Sequence, residues 1–451
     1  MIRIFAKLAA AIEGRPSLKA VIFLACLAAF GGPEFLGALR AADRFAHIEK
    51  SDWGVTSVWL KSAECAKRTG AWLALCEGDK LIPINEQALA DDPGHAFILD
   101  VYASLTGRSV DFVDIVRLNA FINAAGLVAV AAFLAACRAY AALLVFLILG
   151  PTEYLAAWTH AAPHWSFVGA TSLAAILPLA VLARHRGWFL PASANAFLAL
   201  GLLGLGAAAL IREAVGLMAL VITAAVIAGL LVRKGRLRQR RIDLVVLAGL
   251  VLLAWSTPRL VIQARDWSFA MEPATLVQSH GLSHSLYIYL ISAKKGAVYA
   301  SSDADGEEAA RIADPGIVIY SPEYYRLMWR LYFRLVLDDP EAALHVYLAK
   351  AAAILGDSLL EPAPPLWLSI MAVAGFVLLT WPQWPKLDFD PGRFIMIVCL
   401  AFVALFVAQA ILTFPSRLYA FPAARLLLVL LACAVEFVAR TLWRRFTTAS
   451  S

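Results

Sequence analysis

Two adjacent aspartates, Asp91 and Asp92, followed by Pro93-Gly94-His95, are the residues of this chain best suited by type to chemistry. Ionised carboxylates can act as a general base, a metal ligand, or both. His95 stands one helical turn beyond them and would share their face. The same string also reads as a helix start. An Asp before Pro93, with the proline in the first turn and Ala96-Phe97-Ile98-Leu99 following, is a common N-terminal signal. The two readings are compatible, since a cap also fixes a carboxylate in space. Asp100, Asp111 and Asp114 lie further along and read as solvated surface.

Other polar groups stand near the ends of apolar runs. Glu153-Tyr154 is followed by His160 and His164. Arg212-Glu213 interrupts two apolar stretches, and a charged pair there needs a partner or an aqueous cavity. Arginine suits phosphate because its planar fork donates two hydrogen bonds, although an arginine at an interfacial turn also simply snorkels to the headgroups. Further on, Ser279-His280-Gly281-Leu282-Ser283-His284-Ser285-Leu286-Tyr287 places His280 and His284 four apart, a spacing open to a metal pair, with Gly281 and two serines weakening the helix this needs. Ser321-Pro322 reads as a cap and first turn. In the helix that follows, Leu327, Met328, Leu331, Tyr332, Leu335 and Val336 make one apolar face, with Arg326, Arg330 and Arg334 beside it. This is the pattern of a helix in the membrane interface, its arginines either steering a lipid phosphate or anchoring to headgroups.

The elements that carry these groups are apolar. The chain has 451 residues, 61% hydrophobic and 16% charged, more apolar surface than a soluble domain could bury. Ten stretches match the thickness of a bilayer: 18–36, 118–137, 139–157, 166–183, 188–210, 214–232, 243–260, 366–381, 394–413 and 418–439. The expected fold is therefore all-α and polytopic, because backbone polar groups find no water partners in lipid. It divides into 1–36 (N-terminus and first span), 37–117 (a first long loop with the acidic motif), 118–260 (spans two to seven), 261–365 (a second long loop) and 366–451 (spans eight to ten and the C-terminus). Arg3, Lys7, Arg15 and Lys19, then Arg138, Arg184 and Arg186, the run Arg233 to Arg241, Lys386 and Arg393, and Arg440, Arg444 and Arg445 all fall on one side of a ten-span bundle. The positive-inside rule makes that side, and both termini, cytoplasmic. The two long loops are then external and form a joint layer. The basic run is juxtamembrane, so the net charge of +6 does not imply nucleic acid. Gly31-Gly32-Pro33-Glu34 lacks a small-x-small cleavage site, so the first apolar run reads as an uncleaved helix. Of six cysteines, Cys26, Cys137, Cys399 and Cys433 lie in apolar helices, whereas Cys65 and Cys76 in the first loop would pair in an oxidising compartment.

In layout the chain resembles the GT-C superfamily of integral membrane glycosyltransferases. The resemblance rests on the N-in first helix, the long external loop with Asp91-Asp92-Pro93-Gly94-His95, the mid-bundle Ile211-Arg212-Glu213, and Ser416-Arg417-Leu418-Tyr419-Ala420-Phe421-Pro422 before the last apolar helix. The last string departs from the family's Arg-Tyr by an inserted Leu418. The motifs are short, and the His-Ser-Leu-Tyr and Ser-Pro-Glu-Tyr-Tyr strings are not general marks of the superfamily, which suggests a divergent branch. The resemblance implies transfer of a sugar from a polyprenyl-phosphate carrier to a glycan, lipid or protein on the periplasmic face of a bacterial inner membrane. Asp91 or Asp92 would be the base, with Asp91 preferred because the residue before Pro93 is held extended and is the more structural of the two. Arg212, with the stripe of Arg326, Arg330 and Arg334, would handle phosphate, with His95, Glu153, His160, His164, Glu213, His280, His284, Tyr287 and Arg417 lining the substrate site. If a metal is used, Asp91, Asp92 and His95 are its ligands, and oxygen-rich ligation favours magnesium or manganese. A transporter or flippase of lipid-linked glycans, which would place ionisable groups near the midplane, and a non-catalytic assembly factor are the alternatives.

Overall fold

The computed structural model describes residues 16–45, 54–86, 92–155, 166–232, 238–272, 281–294, 302–356, 366–387, 389–413 and 417–449. Its helices are α1 (Pro16–Phe45), α2 (Gly54–Thr69), α3 (Gly94–Thr106), α4 (Phe112–Ala136), α5 (Tyr140–Leu155), α6 (Phe167–Arg186), α7 (Pro191–Ile211), α8 (Glu213–Val232), α9 (Arg238–Trp255), α10 (Thr257–Ser268), α11 (Leu282–Lys294), α12 (Asp303–Ala313), α13 (Pro322–Asp338), α14 (Pro340–Gly356), α15 (Leu366–Thr380), α16 (Asp390–Leu412) and α17 (Arg417–Ala449). One antiparallel hairpin, β1 (Ala74–Glu77) and β2 (Lys80–Pro83), turns at Gly78-Asp79 with Glu77 opposite Lys80.

Nine of the ten apolar stretches each fall on one helix, while 243–260 runs across the break between α9 and α10. Among the described residues eight helices are long and apolar enough to cross a membrane, and α9 with α10 make a ninth if a 58° bend is counted within one span. Helix α5 is apolar but has 16 residues, so it rises only about 24 Å. The chain is an integral membrane protein of apolar helices. Helix α6 is its axis, with 89% of its apolar window buried, against 6% for α1 at the periphery. The first span is longer than the hydropathy suggested, running to Asp43, and α4 begins at Phe112, six residues before the expected start.

Between α1 and α4 the chain folds into a compact layer. A disulfide joins Cys65 on α2 to Cys76 on β1. Leu73, in the left-handed region at φ 51°, is its knot. The Leu73 N–H donates to Asp100 at 2.6 Å, and its carbonyl accepts from Ile84 N at 3.0 Å and from Arg265 of α10 at 3.0 Å. Trp72 donates to Val261 O and packs edge-on against Phe269. The start of segment 261–365 therefore joins the first loop in one layer, while α11, α12 and α13 form their own cluster around Tyr320, Tyr324 and Met328.

Asp100 is not solvated surface. It is wholly buried, taking Ser62 Oγ at 2.7 Å as well as Leu73 N. Desolvation pushes its carboxyl up to about 7, against the two bonds that favour the ionised form. The surface reading failed because α3 packs its Asp100 face onto α2, a contact 38 residues distant in sequence. Asp111 is exposed as expected and Asp114 is half-buried, and the two form a reciprocal capping box at the start of α4.

Candidate functional site

The acidic motif meets the bundle at the break between α7 and α8. Arg212 leaves the helical conformation there, at φ −154° and ψ 108°, and Glu213 opens α8. Residues 92–94 lie directly on this break. Gly94 permits the approach, because a Cβ at that position would stand 2.7 Å from the Leu210 carbonyl carbon.

Asp92 does not cap its own helix. The N-cap of α3 is Pro93, without a side-chain bond. Asp92 Oδ1 instead accepts the Glu213 N–H at 3.1 Å, and Oδ2 accepts Arg212 Nη1 at 2.6 Å. Asp92 thus caps α8 in trans, where a helix N-terminus favours negative charge. Nor is it extended as the following proline suggested. Its φ is 51°, a region that Asp tolerates better than most residues but at a cost of about 1–2 kcal/mol. The ion pair and the amide bond hold it there. Arg212 also lies over the Phe167 ring at 5.4 Å, and 19% of its side chain remains exposed against 6% for Asp92. The Glu213 side chain is exposed.

His95 is fully buried and stacked on Trp59, with ring centroids 4.9 Å apart. Its Nε2 lies 2.9 Å from Asn119 Oδ1 and 3.3 Å from Ser166 Oγ, while Nδ1 has no hydrogen-bond partner among the described residues. Burial pushes its pKa down to about 4, opposed by the Asn119 bond. The ring is therefore neutral near pH 7, and the geometry assigns the proton to Nε2. Asp92 and His95 do not assemble as joint metal ligands, since Asp92 is taken by Arg212 and α8, and His95 Nε2 by Asn119. Among the described residues no three His, Cys, Asp or Glu side chains are grouped to hold a metal ion. Asp91, the third residue of the expected ligand set, lies outside the described residues.

From His95 a buried polar seam runs along α6. Asn123 Oδ1 accepts the Gly169 N–H at 2.9 Å, and Tyr154 OH lies 2.7 Å from Ser172 Oγ. At its edge Glu153 meets Arg425 of α17, carboxylate to guanidinium at 2.7 Å, with Arg425 Nε donating to the Glu153 carbonyl. Trp59, Asn119, Ser166 and Arg425 went unremarked in the sequence. Only Arg425 carried a signal, a lone charge eight residues into an apolar helix; the others look like ordinary helix residues.

The structure thus brings together Asp92, Arg212, Glu213 and His95, and places Glu153 near the same end of α6. His160, His164 and His280, and the side chain of Arg417, lie outside the described residues. His284 belongs elsewhere. It is buried between Tyr324 OH at 2.6 Å and Asp303 at 3.1 Å, beside Tyr287 in the α11–α13 cluster. Arg326 and Arg330 are exposed on α13, and Arg326 pairs with Glu323. No family model, curated protein or solved structure matches the chain.

Proposed function

We propose that this protein is a membrane glycosyltransferase of the GT-C type, moving a sugar from a polyprenyl-phosphate carrier to an acceptor hydroxyl on a glycan, lipid or protein. The observation that supports this reading is the Asp92–Arg212–Glu213 junction. It fastens the acidic motif of the first loop onto the mid-bundle arginine, so a carboxylate base and a phosphate-binding cation serve one locus. With ten spans and cytoplasmic termini, that locus faces the periplasm. Asp92 is committed to the α8 N-terminus, so the base in this reading is its neighbour Asp91, and Asp92 is a positioning residue. Asp91 takes the proton of the acceptor hydroxyl. The acceptor oxygen bonds to the anomeric carbon as the bond from that carbon to the phosphate oxygen breaks. The leaving polyprenyl phosphate carries the electron pair, and Arg212 stabilises its charge.

Turnover of a polyprenyl-phosphate-linked sugar by the purified protein tests this. Asp91→Asn should abolish transfer in a protein that still inserts and keeps its disulfide. A second reading, a non-catalytic assembly factor, draws on the engagement of both Asp92 oxygens by protein groups. Normal turnover in Asp91→Asn, or no transfer by the wild-type chain with any such donor, would favour it.

A further inference from the structure

Helix α13 buries against protein part of the very face that its sequence recommends for lipid. Leu327 and Met328, together with Tyr324, pack into the α11–α13 cluster with Ala310 and Tyr320. That face is covered by protein. The opposite face is open and is itself divided. At about 3.6 residues per turn, Arg326, Arg330 and Arg334 form one stripe and Trp329, Phe333 and Leu337 a second stripe beside it. Phe333 is 53% exposed and Leu337 76%. The following helix continues the pattern, with Leu344 at 58% and Leu348 at 56%. The two helices are tied where Tyr332 OH meets Tyr347 OH at 3.0 Å.

What lies over this elbow is indicated by where α14 is fastened. Its opposite side enters the membrane core through Ile354. Lys350, fully buried, donates to the Thr413 carbonyl at 2.7 Å, at the very end of span α16. The Tyr289 and Tyr347 rings flank its ammonium at 5.6 and 5.7 Å. A helix bolted to the end of a span sits at the level where hydrocarbon gives way to headgroups. Its leucines are exposed on the side away from that anchor, and the arginine stripe beside them suits phosphate. The arginines' own partners do not compete strongly. Arg334 pairs with Asp338 at 3.6 Å, both well exposed, and such surface pairs contribute little.

We propose that the α13–α14 elbow lies in the headgroup layer of the bilayer, with anionic lipid phosphates along Arg330 and Arg334 and with Phe333, Leu337, Leu344 and Leu348 at the acyl boundary. This surface is independent of the transfer chemistry. It would persist if the chain transferred no sugar.

Full-length protein in nanodiscs tests it. Leu337→Cys and Leu344→Cys, each in a Cys26→Ser background, take a polarity-sensitive fluorophore. Both side chains are exposed, and the remaining free cysteines among the described residues are buried. In discs containing phosphatidylglycerol, both labels should emit as in an apolar medium, be quenched by lipids brominated near the headgroup end of the chain, and resist aqueous iodide. Discs of phosphatidylcholine alone should lose part of that protection. Arg330→Glu with Arg334→Glu should lose the same part in the anionic discs, by about fivefold in the docked-to-free ratio per arginine. Water-like, iodide-accessible labels in both discs overturn the proposal, as does protection that depends on an added protein partner. Protection equal in the two lipids overturns its assignment of anionic lipid.

Discussion

The two ends of α5 use one device in two ways. At its N-terminal end, Glu436 of α17 accepts the Ala141 and Ala142 N–H groups at 2.7 and 3.0 Å and pairs with Arg440 at 2.7 Å. Beyond its other end, across the start of α6, Asp92 accepts the Glu213 N–H and pairs with Arg212. In both places a nearly buried carboxylate is shared between an arginine and the first turn of another helix. The difference is in how each is assembled. Glu436 and Arg440 are one turn apart on the same helix, and Arg440 goes on to bond the Arg138 carbonyl where α4 ends. Asp92 and Arg212 are 120 residues apart, and both stand where the backbone departs from helix. The Glu436 end shows that such a trio is complete as a piece of architecture. Asp92 is therefore accounted for without chemistry, and the proposed transfer rests on Asp91 as its base.

Turnover gives the sharpest test of that contrast. Removing a general base typically costs about 10²–10⁴-fold in rate, so Asp91→Asn should fall by that much. Glu436→Gln should leave turnover per folded molecule unchanged. Equal losses in the two variants would mean that both ends act only through folding.

This contrast also marks what was legible in the sequence. Hydropathy located the eight described helices that are long and apolar enough to cross a membrane, because a bilayer demands runs of one character. The α13 cap was legible too: Ser321 Oγ accepts the Tyr324 N–H as its position before Pro322 implied. What escaped was every pairing set by tertiary packing. Nothing near Asp92 indicates that its carboxylate caps α8, because α8 begins 121 residues later. Nothing near Glu153 points to Arg425, its partner 272 residues on. Asp100 looked like surface because a charge beside apolar residues usually faces water, and only the α2–α3 contact removes it. On α13 periodicity found the amphipathic pattern, but it could not tell which face the α11–α13 cluster would cover.

Deleting the carboxylates should show that the two trios are alike in stability. Asp92→Ala and Glu436→Ala each take the carboxylate from an arginine and uncap a helix. Removing one partner of a buried pair costs about 3–5 kcal/mol, toward the lower end for Asp92 because Arg212 is partly exposed. Thermal unfolding in detergent should rank both variants well below wild type. Near-wild-type stability for Asp92→Ala would remove the latch and return Asp92 to the list of bases.

The disulfide separates the ends again. Cys65→Ser with Cys76→Ser should cost about 2–4 kcal/mol, all of it in the layer between α1 and α4. Hydrogen exchange of the hairpin and α2 should rise, while the amides of α17 around Glu436 stay protected. A change spread evenly over both ends would show that the layer is not a unit of its own.

The smallest expected effect is a cancellation, and it belongs to the Asp92 end alone. His95 is held neutral, with a pKa of about 4 in the folded chain against an ordinary 6.5. Between those values the unfolded chain binds more protons, so His95 makes stability rise with pH across that window. Asp100 is held at about 7 against an ordinary 3.8. There the folded chain binds more protons, so stability is greatest at low pH and is lost as pH rises through about 7. The two slopes oppose each other across most of their range, and the wild-type layer should be nearly flat from about pH 4 to 6.5, with a mild loss above. Asp100→Asn should unmask the His95 slope, giving a layer that gains stability as pH rises toward 6.5. His95→Gln should unmask the other, giving a layer that loses stability over the same range. Exchange rates of the Leu73 and α3 amides against pH measure both. Parallel profiles in the two variants would mean that these buried groups do not titrate with opposite sign, and that the layer beside the acidic pair is no more pH-sensitive than the Glu436 end.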